Sequence, residues 1–438
     1  MSPPVSLIHS QVKVNKPRET KRNGGRSRPL KSKRFRRSSC FQRRRTLGAA
    51  TPSRGINMPS TRLREVSPNA IDNSAAAAPV VRAIDVGFGL VKFSLRGIDG
   101  GNVRFMNFPS MAIPADASAV RSLGTRRRDT FDVPVNGANY EVGCDVELAQ
   151  SGGNFGRDVT DEFYRGAIYE ALTKGALRYM AEAGDTQIDV LVLGLPVNQY
   201  NDAKRRDYLR SRFHGTVEVG DGKTVKVDKV IVQAQPIGGY AAIDDHLSEL
   251  NEVISKTAGA LEPLASGESL DELAVLMIDP GEHTLDWLLI QQGTINPRAS
   301  GAASDAGRHR VVRAVQDSLS ATIGRPLGPA VMPRINDALR NERPVKLAGV
   351  AHDLRQFEPV VLSVVEDSVN RMIDGLRDAH EIVDLMVLVG GHPEHYRDVL
   401  VKRFPAIPVF VMPNSMEANV RGFQMIGEAE FEPSTASD

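Results

Sequence analysis

The pattern of hydrophobic and polar positions predicts a run of strands at the start of the chain's ordered part. Short apolar or alternating segments cover residues 81–85, 91–98 and 103–108, and glycine-rich turns separate them. This pattern predicts an antiparallel meander. The dipeptide Asn136-Gly137 between two further apolar segments predicts another hairpin, because Asn and Gly tolerate the positive φ angles of a two-residue β-turn.

Apolar residues at helical spacing then alternate with buried strands. The predicted elements are a helix over 161–183, a strand over 188–195, a helix over 200–211, a hairpin turning at 220–222, a strand over 224–234 and a helix over 237–250. A connection rich in Gly, Ser and Glu follows over 256–272.

The strand pattern begins again after this connection. The second set comprises strands over 273–278 and 284–290, helices over 307–320, 333–341 and 354–377, a strand over 385–389, a helix over 393–404, a strand over 409–411 and a last helix from 414. Each half therefore has the pattern of a mixed-sheet α/β fold. An Asp-x-Gly turn joins the first two strands of each half, at Asp85 and at Asp279, which indicates an internal duplication.

Charge is unevenly distributed along the 438 residues. Residues 1–65 contain 18 Lys+Arg and two acidic residues, whereas the whole chain has 55 Lys+Arg and 53 Asp+Glu. Highly charged segments without periodicity cannot offset their ordering entropy by burial, so we expect a disordered basic tail over 1–79. Three roles stay open for it: an arm that contacts DNA directly, a transit peptide, and a solvated extension ahead of a true start at Met58.

The remaining composition favours a cytoplasmic protein with no membrane partner. Cys40 and Cys144 form no paired pattern, so neither a disulfide framework nor a zinc ribbon is expected. No apolar run reaches the roughly 18 residues of a membrane span, and no signal-peptide core is evident.

Both Asp-x-Gly turns carry groups suited to a nucleotide. The first, Asp85-Val-Gly-Phe-Gly-Leu-Val-Lys92, offers a carboxylate, glycines that let backbone N–H groups approach an anion, and a lysine. The second, Asp279-Pro-Gly-Glu-His-Thr-Leu-Asp286, repeats the arrangement in the other half. Phosphates need N–H donors and a cation, and Mg²⁺ is held through carboxylates and water. Each turn alone is more typical of a structural β-turn, but the pair indicates a site.

Two further segments belong to this picture. Gln235 lies between a strand and a helix, where it could orient a water or simply cap the helix. Gly390-Gly391 ends a strand, where it could admit a flat base or form an ordinary strand-to-helix turn.

The order of these four motifs over residues 80–430 resembles the actin-like ATPase superfamily. The spacing is most similar to plasmid-segregation actins of the ParM/StbA type, including the D protein group of PRTRC systems. The resemblance implies two duplicated actin-like (ribonuclease H-like) α/β domains with mixed sheets around a nucleotide cleft. It places domain I over 80–250 with the C-terminal helix 414–428 returning to it, domain II over 251–413, and a flexible tail over 429–438.

The resemblance also implies roles for individual residues. Asp85 and Asp279 would hold Mg²⁺ through water, while Gln235 and Asp279 would position the attacking water. The residues expected around ATP, besides Asp85, are Gly87, Phe88, Gly89, Lys92, Gly281, Glu282, His283, Thr284, Gly307, Gly390 and Gly391. The small-residue run 300–307 is expected to open a helix and line the nucleotide pocket.

The sequence departs from the superfamily pattern at several positions. Pro280, Glu282 and His283 occupy a loop usually made of small or hydroxyl residues, and His392 replaces a frequent third glycine. His283 could act as a general base or only pack. Trp287 is expected in the core.

The resemblance implies an actin-like ATPase that binds Mg·ATP and polymerises to segregate or organise plasmid DNA. Its expected partners are further copies of itself and plasmid DNA reached through an adaptor protein. The alternative is an ATP-switched adaptor that forms no filaments and serves a plasmid-encoded complex. A small-molecule kinase lacks a recognisable substrate-activating carboxylate, and a chaperone lacks room for a substrate domain.

Overall fold

A computed structural model describes residues 78–98, 102–116, 122–123, 126–149, 160, 162–259, 261–265, 269–391 and 393–430. The predictions made for the basic segment over 1–77, for His392 and for 431–438 lie outside the described residues. Among the residues that the structure describes, no helix has the length and apolar character needed to cross a bilayer.

The first half is built around a six-stranded mixed sheet. Its strands and those of a small side sheet and hairpin are β1 (Val81–Val86), β2 (Leu90–Arg96), β3 (Val103–Pro109), β4 (Ile113–Pro114), β5 (Ser122–Leu123), β6 (Arg126–Arg127), β7 (Phe131–Val135), β8 (Ala138–Val142), β9 (Gln187–Leu195), β10 (Gly215–Gly220) and β11 (Lys223–Ala234). Its helices are α1 (Ala167–Glu182), α2 (Val197–Tyr200), α3 (Ala203–Phe213), α4 (Gln235–Ala241) and α5 (Leu247–Lys256). The strand order is β10-β11-β9-β1-β2-β3, so the predicted meander forms one side of the sheet.

The second half contains another mixed sheet. Its strands and a separate hairpin are β12 (Ala274–Pro280), β13 (Thr284–Gln291), β14 (Thr294–Ile295), β15 (Gly301–Ser304), β16 (Val345–Leu347), β17 (Val350–His352), β18 (Leu385–Leu388) and β19 (Val409–Val411). Its helices are α6 (Arg308–Ile323), α7 (Met332–Arg340), α8 (Glu358–Leu376), α9 (Glu394–Arg403) and α10 (Ser415–Ala429). The order is β14-β13-β12-β18-β19, with β15 pairing to β13.

The two Asp-x-Gly units share one geometry. β1 pairs antiparallel with β2 and parallel with β9, and β12 pairs in the same two ways with β13 and β18. The hairpin register places Asp85 opposite Lys92 and Asp279 opposite Asp286. In each turn a glycine N–H closes the loop onto the carbonyl three residues later, at 3.1 Å in the first turn and 2.9 Å in the second. This repetition confirms the predicted duplication.

Two helices connect the halves by crossing between them. α10 follows β19 of the second sheet, yet Val420 and Phe423 on its apolar face are buried against β1 and β9 of the first sheet. α4 follows β11 of the first sheet and contacts β12 of the second. The helices cross where a Cβ on Gly422 would lie only 1.7 Å from the Gly238 carbonyl oxygen, so glycine is required for this approach.

Several predicted boundaries were wrong for local reasons. The helix predicted over 237–250 is two helices, because the 3₁₀ turn Asp244–His246 and its acidic residues interrupt the apolar stripe. The helix predicted from 161 begins at Ala167, after a 3₁₀ turn at Phe163–Arg165. The helix predicted from 354 begins at Glu358, where Pro359 suits a first turn.

Two other short elements also differ from the prediction. The run 300–307 contains strand β15 before α6 begins. The hairpin β16–β17 was not predicted, since three-residue strands are too short to show an alternating pattern. The Asn136-Gly137 hairpin is confirmed, with φ of 51° and 80° at these residues.

Candidate functional site

The first Asp-x-Gly turn is held from outside by one serine. The Ser110 hydroxyl donates to the carbonyl oxygen of Gly87 at 2.5 Å, and the Ser110 N–H donates to that of Gly89 at 3.0 Å. A trans peptide directs its N–H opposite to its C=O. The peptide N–H groups of Phe88 and Leu90 therefore point away from Ser110.

The second turn is held by the start of α6. The N–H groups of residues 306–309 donate to the carbonyl oxygens of residues 281–283 at 2.9 to 3.2 Å. A Cβ at Gly307 would lie 2.6 Å from the Glu282 carbonyl oxygen, so Gly307 lies directly behind the turn. The same peptide geometry directs the N–H groups of residues 282–284 away from α6. In each turn the carbonyl groups therefore face a supporting segment. The N–H groups of Phe88, Leu90 and residues 282–284 face the opposite side, where an anion would meet them.

The two turns contact each other in this conformation. The Phe88 and His283 rings meet edge to face with centroids 5.6 Å apart. A Cβ on Gly89 would lie 2.8 Å from the Glu282 Cβ. A ligand between the turns therefore requires them to separate.

Each Asp at the base of a turn accepts a hydrogen bond from an amide on a crossing helix. Asp85 is fully buried; its Oδ2 pairs with Lys92 Nζ at 2.9 Å and its Oδ1 accepts from Gln235 Nε2 at 2.7 Å. Asp279 Oδ2 accepts from Asn419 Nδ2 at 2.6 Å. Gln235 begins α4 and Asn419 lies in α10. The crossing helices therefore fix both carboxylates.

A third buried carboxyl lies opposite Asp279 in the hairpin. Asp286 accepts from the Thr284 hydroxyl at 2.5 Å and from the Val197 N–H of the first half at 3.1 Å. Burial, together with the charges of Asp279 and Asp85, raises the pKa of Asp286 to about 7. The carboxyl therefore gains a proton near neutral pH.

Negative charge exceeds positive charge in this buried cluster. Burial also raises the pKa of Asp279, and the neighbouring Asp85 charge adds to the effect. Burial opposes the charge on Lys92, but Asp85 and Asp279 outweigh it and raise the Lys92 pKa. The cluster thus holds three buried carboxyls, of which Asp85 is bonded to Lys92 and Asp279 lies within electrostatic range of it, and this donor set suits an added divalent cation.

The glycine pair after β18 lies beside the second turn. A Cβ on Gly390 would lie 2.1 Å from Asp279 Oδ1, and the residue has φ of +76°. The Gly391 N–H donates to the Pro280 carbonyl at 3.3 Å, and a Cβ there would meet open space. Gly390 is therefore required by the approach of Asp279, while the predicted contact of either glycine with a base stays a prediction.

The structure brings most of the predicted site residues into one region, and it also shows the surroundings of His283 and Trp287. Gly87, Gly89, Lys92, Gly281 and Thr284 all lie in the two turns or their strands. His283 is half-buried, and burial and the nearby His309 lower its pKa. Trp287 is core, as expected, and packs against Gly301 and Gly375.

Sequence reasoning missed Ser110 and Asn419. Asn419 lies on the same face of α10 as Phe423, so a polar residue within a predicted apolar face was the available signal. Ser110 follows a strand end and carries no comparable signal.

Known proteins resemble the sequence of the first half and the fold of most of the chain. Residues 83–238 match the family model of the actin-like protein N-terminal domain. The archaeal actin homologue Ta0583 covers 80% of this chain and 100% of its own at 18% identity, with a TM-score of 0.60. The structure of Ta0583 in complex with ADP covers 80% of this chain and 99% of its own at 17% identity, with a TM-score of 0.56.

A filament-forming protein shows the same likeness. The ParM of a 15-stranded filament from Clostridium botulinum covers 80% of this chain and 99% of its own at 15% identity, with a TM-score of 0.59. No curated protein matches the sequence. The chain therefore has an actin-like fold whose two mixed sheets meet at the paired Asp-x-Gly turns.

Proposed function

We propose that this protein is an actin-like ATPase that binds Mg·ATP between its two halves and polymerises to segregate or organise plasmid DNA. The observation that carries the proposal is the buried cluster of Asp85, Asp279 and Asp286, with Lys92 bonded to Asp85, beneath two turns whose N–H groups face away from their supports. An actin-like neighbour with bound ADP and a ParM filament support the nucleotide and polymer components.

The residues present fit a magnesium nucleotide. Asp85 and Asp279 would hold the ion through water, and the turn N–H groups would contact the phosphates. When bound, Mg²⁺ would neutralise part of the phosphate charge. Lys92 adds a cation beneath the first turn, and Gln235 can exchange its bond to Asp85 for one to water. Catalysis would then depend on positioning and charge stabilisation rather than on a strong base.

The chain's two halves correspond to two proposed domains. Domain I would comprise 80–250 and α10, and domain II 251–413. The crossing of α4 and α10 supports this division, because both connections pass through one place between the sheets. The proposed location is the cytoplasm, and an adaptor protein is proposed to link the filament to plasmid DNA.

The test is ultracentrifugal pelleting of the full chain with Mg·ATP, Mg·ADP or no nucleotide, with phosphate release followed in the same tubes. Pelleting that requires ATP and reverses as phosphate appears is expected. Asp279→Ala should stop phosphate release, whereas Asp207→Ala, which removes an exposed carboxylate on α3, should retain it. ATP binding or hydrolysis without pelleting would favour the switched adaptor, and absence of ATP binding would refute both functions.

A further inference from the structure

Two histidines and a carboxylate converge behind the second turn. His283 lies in the turn, Asp305 follows β15, and His309 lies in the first turn of α6. One possible ligand atom from each residue lies within 4.8 Å of the others. The two imidazole rings have centroids 4.5 Å apart, and His309 Nε2 lies 2.6 Å from Asp305 Oδ1.

The hydrogen bonds of His309 fix the orientation of its ring. Its Nδ1 lies 3.1 Å from the carbonyl oxygen of Glu282, which can only accept, so Nδ1 carries a hydrogen. Its Nε2 faces the Asp305 carboxylate, which also accepts. With Nδ1 as the donor, Nε2 is the ring nitrogen left to face an ion, beside the Asp305 oxygen. A histidine that donates its other N–H to a backbone carbonyl has the orientation typical of a metal ligand.

We propose that His283, Asp305 and His309 bind a divalent transition-metal ion of the zinc class. Two imidazoles and one carboxylate suit Zn²⁺ or Co²⁺, whereas Mg²⁺ prefers oxygen ligands alone. Bonds of about 2.0 to 2.2 Å in a tetrahedron place ligand atoms roughly 3.4 Å apart. Asp305 and His309 would thus separate slightly, and the Asp305 side chain, 64% exposed, has room to move.

The proposed ion would have two consequences. Three protein ligands leave a fourth position for water. The ion would also connect the second turn to β15 and α6 by bonds stronger than the present hydrogen bonds. The site uses none of the buried carboxyls beneath the turns, and it does not rest on nucleotide binding.

Co²⁺ titration of the chelator-treated full chain, without nucleotide, tests the proposal through visible d–d absorption. The wild type is expected to saturate at one equivalent, and excess Zn²⁺ should remove the absorption. His309→Asn and Asp305→Asn should each weaken Co²⁺ binding by more than the roughly tenfold to hundredfold loss that outer-shell changes cause. His395→Asn is the matched control, because His395 lies beside one carboxylate, Glu358, at 3.3 Å.

Two results would overturn the proposal. One is a wild type that shows no saturable absorption, which would make His309 and Asp305 a simple ion pair. The other is unchanged Co²⁺ affinity in Asp305→Asn and His309→Asn while circular dichroism shows both variants folded. Because ATP is absent from the titration, either result leaves the ATPase proposal to its own test.

Discussion

The free energy of unfolding of Asp286→Asn, measured relative to that of wild type, should increase as the pH rises. Asp286 is buried between the Thr284 hydroxyl and the Val197 N–H. An asparagine can accept from Val197 and donate to Thr284, so it replaces the protonated carboxyl closely. The substitution therefore removes the titration and keeps the packing.

The magnitude follows from the pKa of about 7 in the folded protein against 3.8 as the ordinary value. As pH rises above 3.8 the unfolded chain releases this proton first, so wild-type stability falls until the folded carboxyl also ionises near pH 7. The advantage of Asp286→Asn should grow by about 2.5 kcal/mol between pH 5 and pH 8 and change little above pH 8.

Urea unfolding followed by circular dichroism at pH 5, 6, 7 and 8 measures this difference. Asp398→Asn removes an exposed carboxylate on α9 and serves as the control, with no comparable growth expected. A stability difference that stays constant across this pH range would refute the reasoning, because Asp286 would then not change its ionisation there. A difference that shrinks with pH would show that the ionised form is the stabilised one.

Three further outcomes are expected. Gln235→Ala should slow phosphate release more than it weakens ATP binding; an equal loss would show that its bond to Asp85 is only structural. Gly422→Ala should lower the free energy of unfolding in urea by about 1–3 kcal/mol, because its Cβ would meet a backbone oxygen, while Gly328→Ala, in open space, should change it little. Equal stability of the two variants would argue against the tight helix crossing. If the basic tail is a DNA arm, removal of residues 1–57 should abolish DNA binding that weakens steeply with salt; unchanged affinity would exclude that role.

Periodicity predicted most of the fold, because buried faces repeat at the spacing of their element. The strands on either side of Asp85 and Asp279 and the apolar face of α10 were predicted for this reason. Periodicity failed where an element was short or interrupted, as in β16–β17 and at Asp244–His246. A three-residue strand contains too few positions to define a period.

The candidate site was predicted less completely than the fold. Asp-x-Gly turns leave a local signature, so the turn residues could be chosen from the sequence. The bonds of Asn419 to Asp279 and of Ser110 to Gly87 join distant segments, and they depend on packing that a single sequence does not reveal. His309 is likewise brought to His283 only by the folding of α6 onto the turn.

The matched register of the two hairpins also has an evolutionary meaning. An ancestor made of two identical copies would have had a twofold axis through its centre and the same residue on both sides. A nucleoside triphosphate has no such axis. Lys92 and Asp286 now occupy equivalent positions and carry opposite chemistry. At this position the two copies of the duplicated segment present different groups, and such a difference suits a ligand whose two ends are chemically unlike.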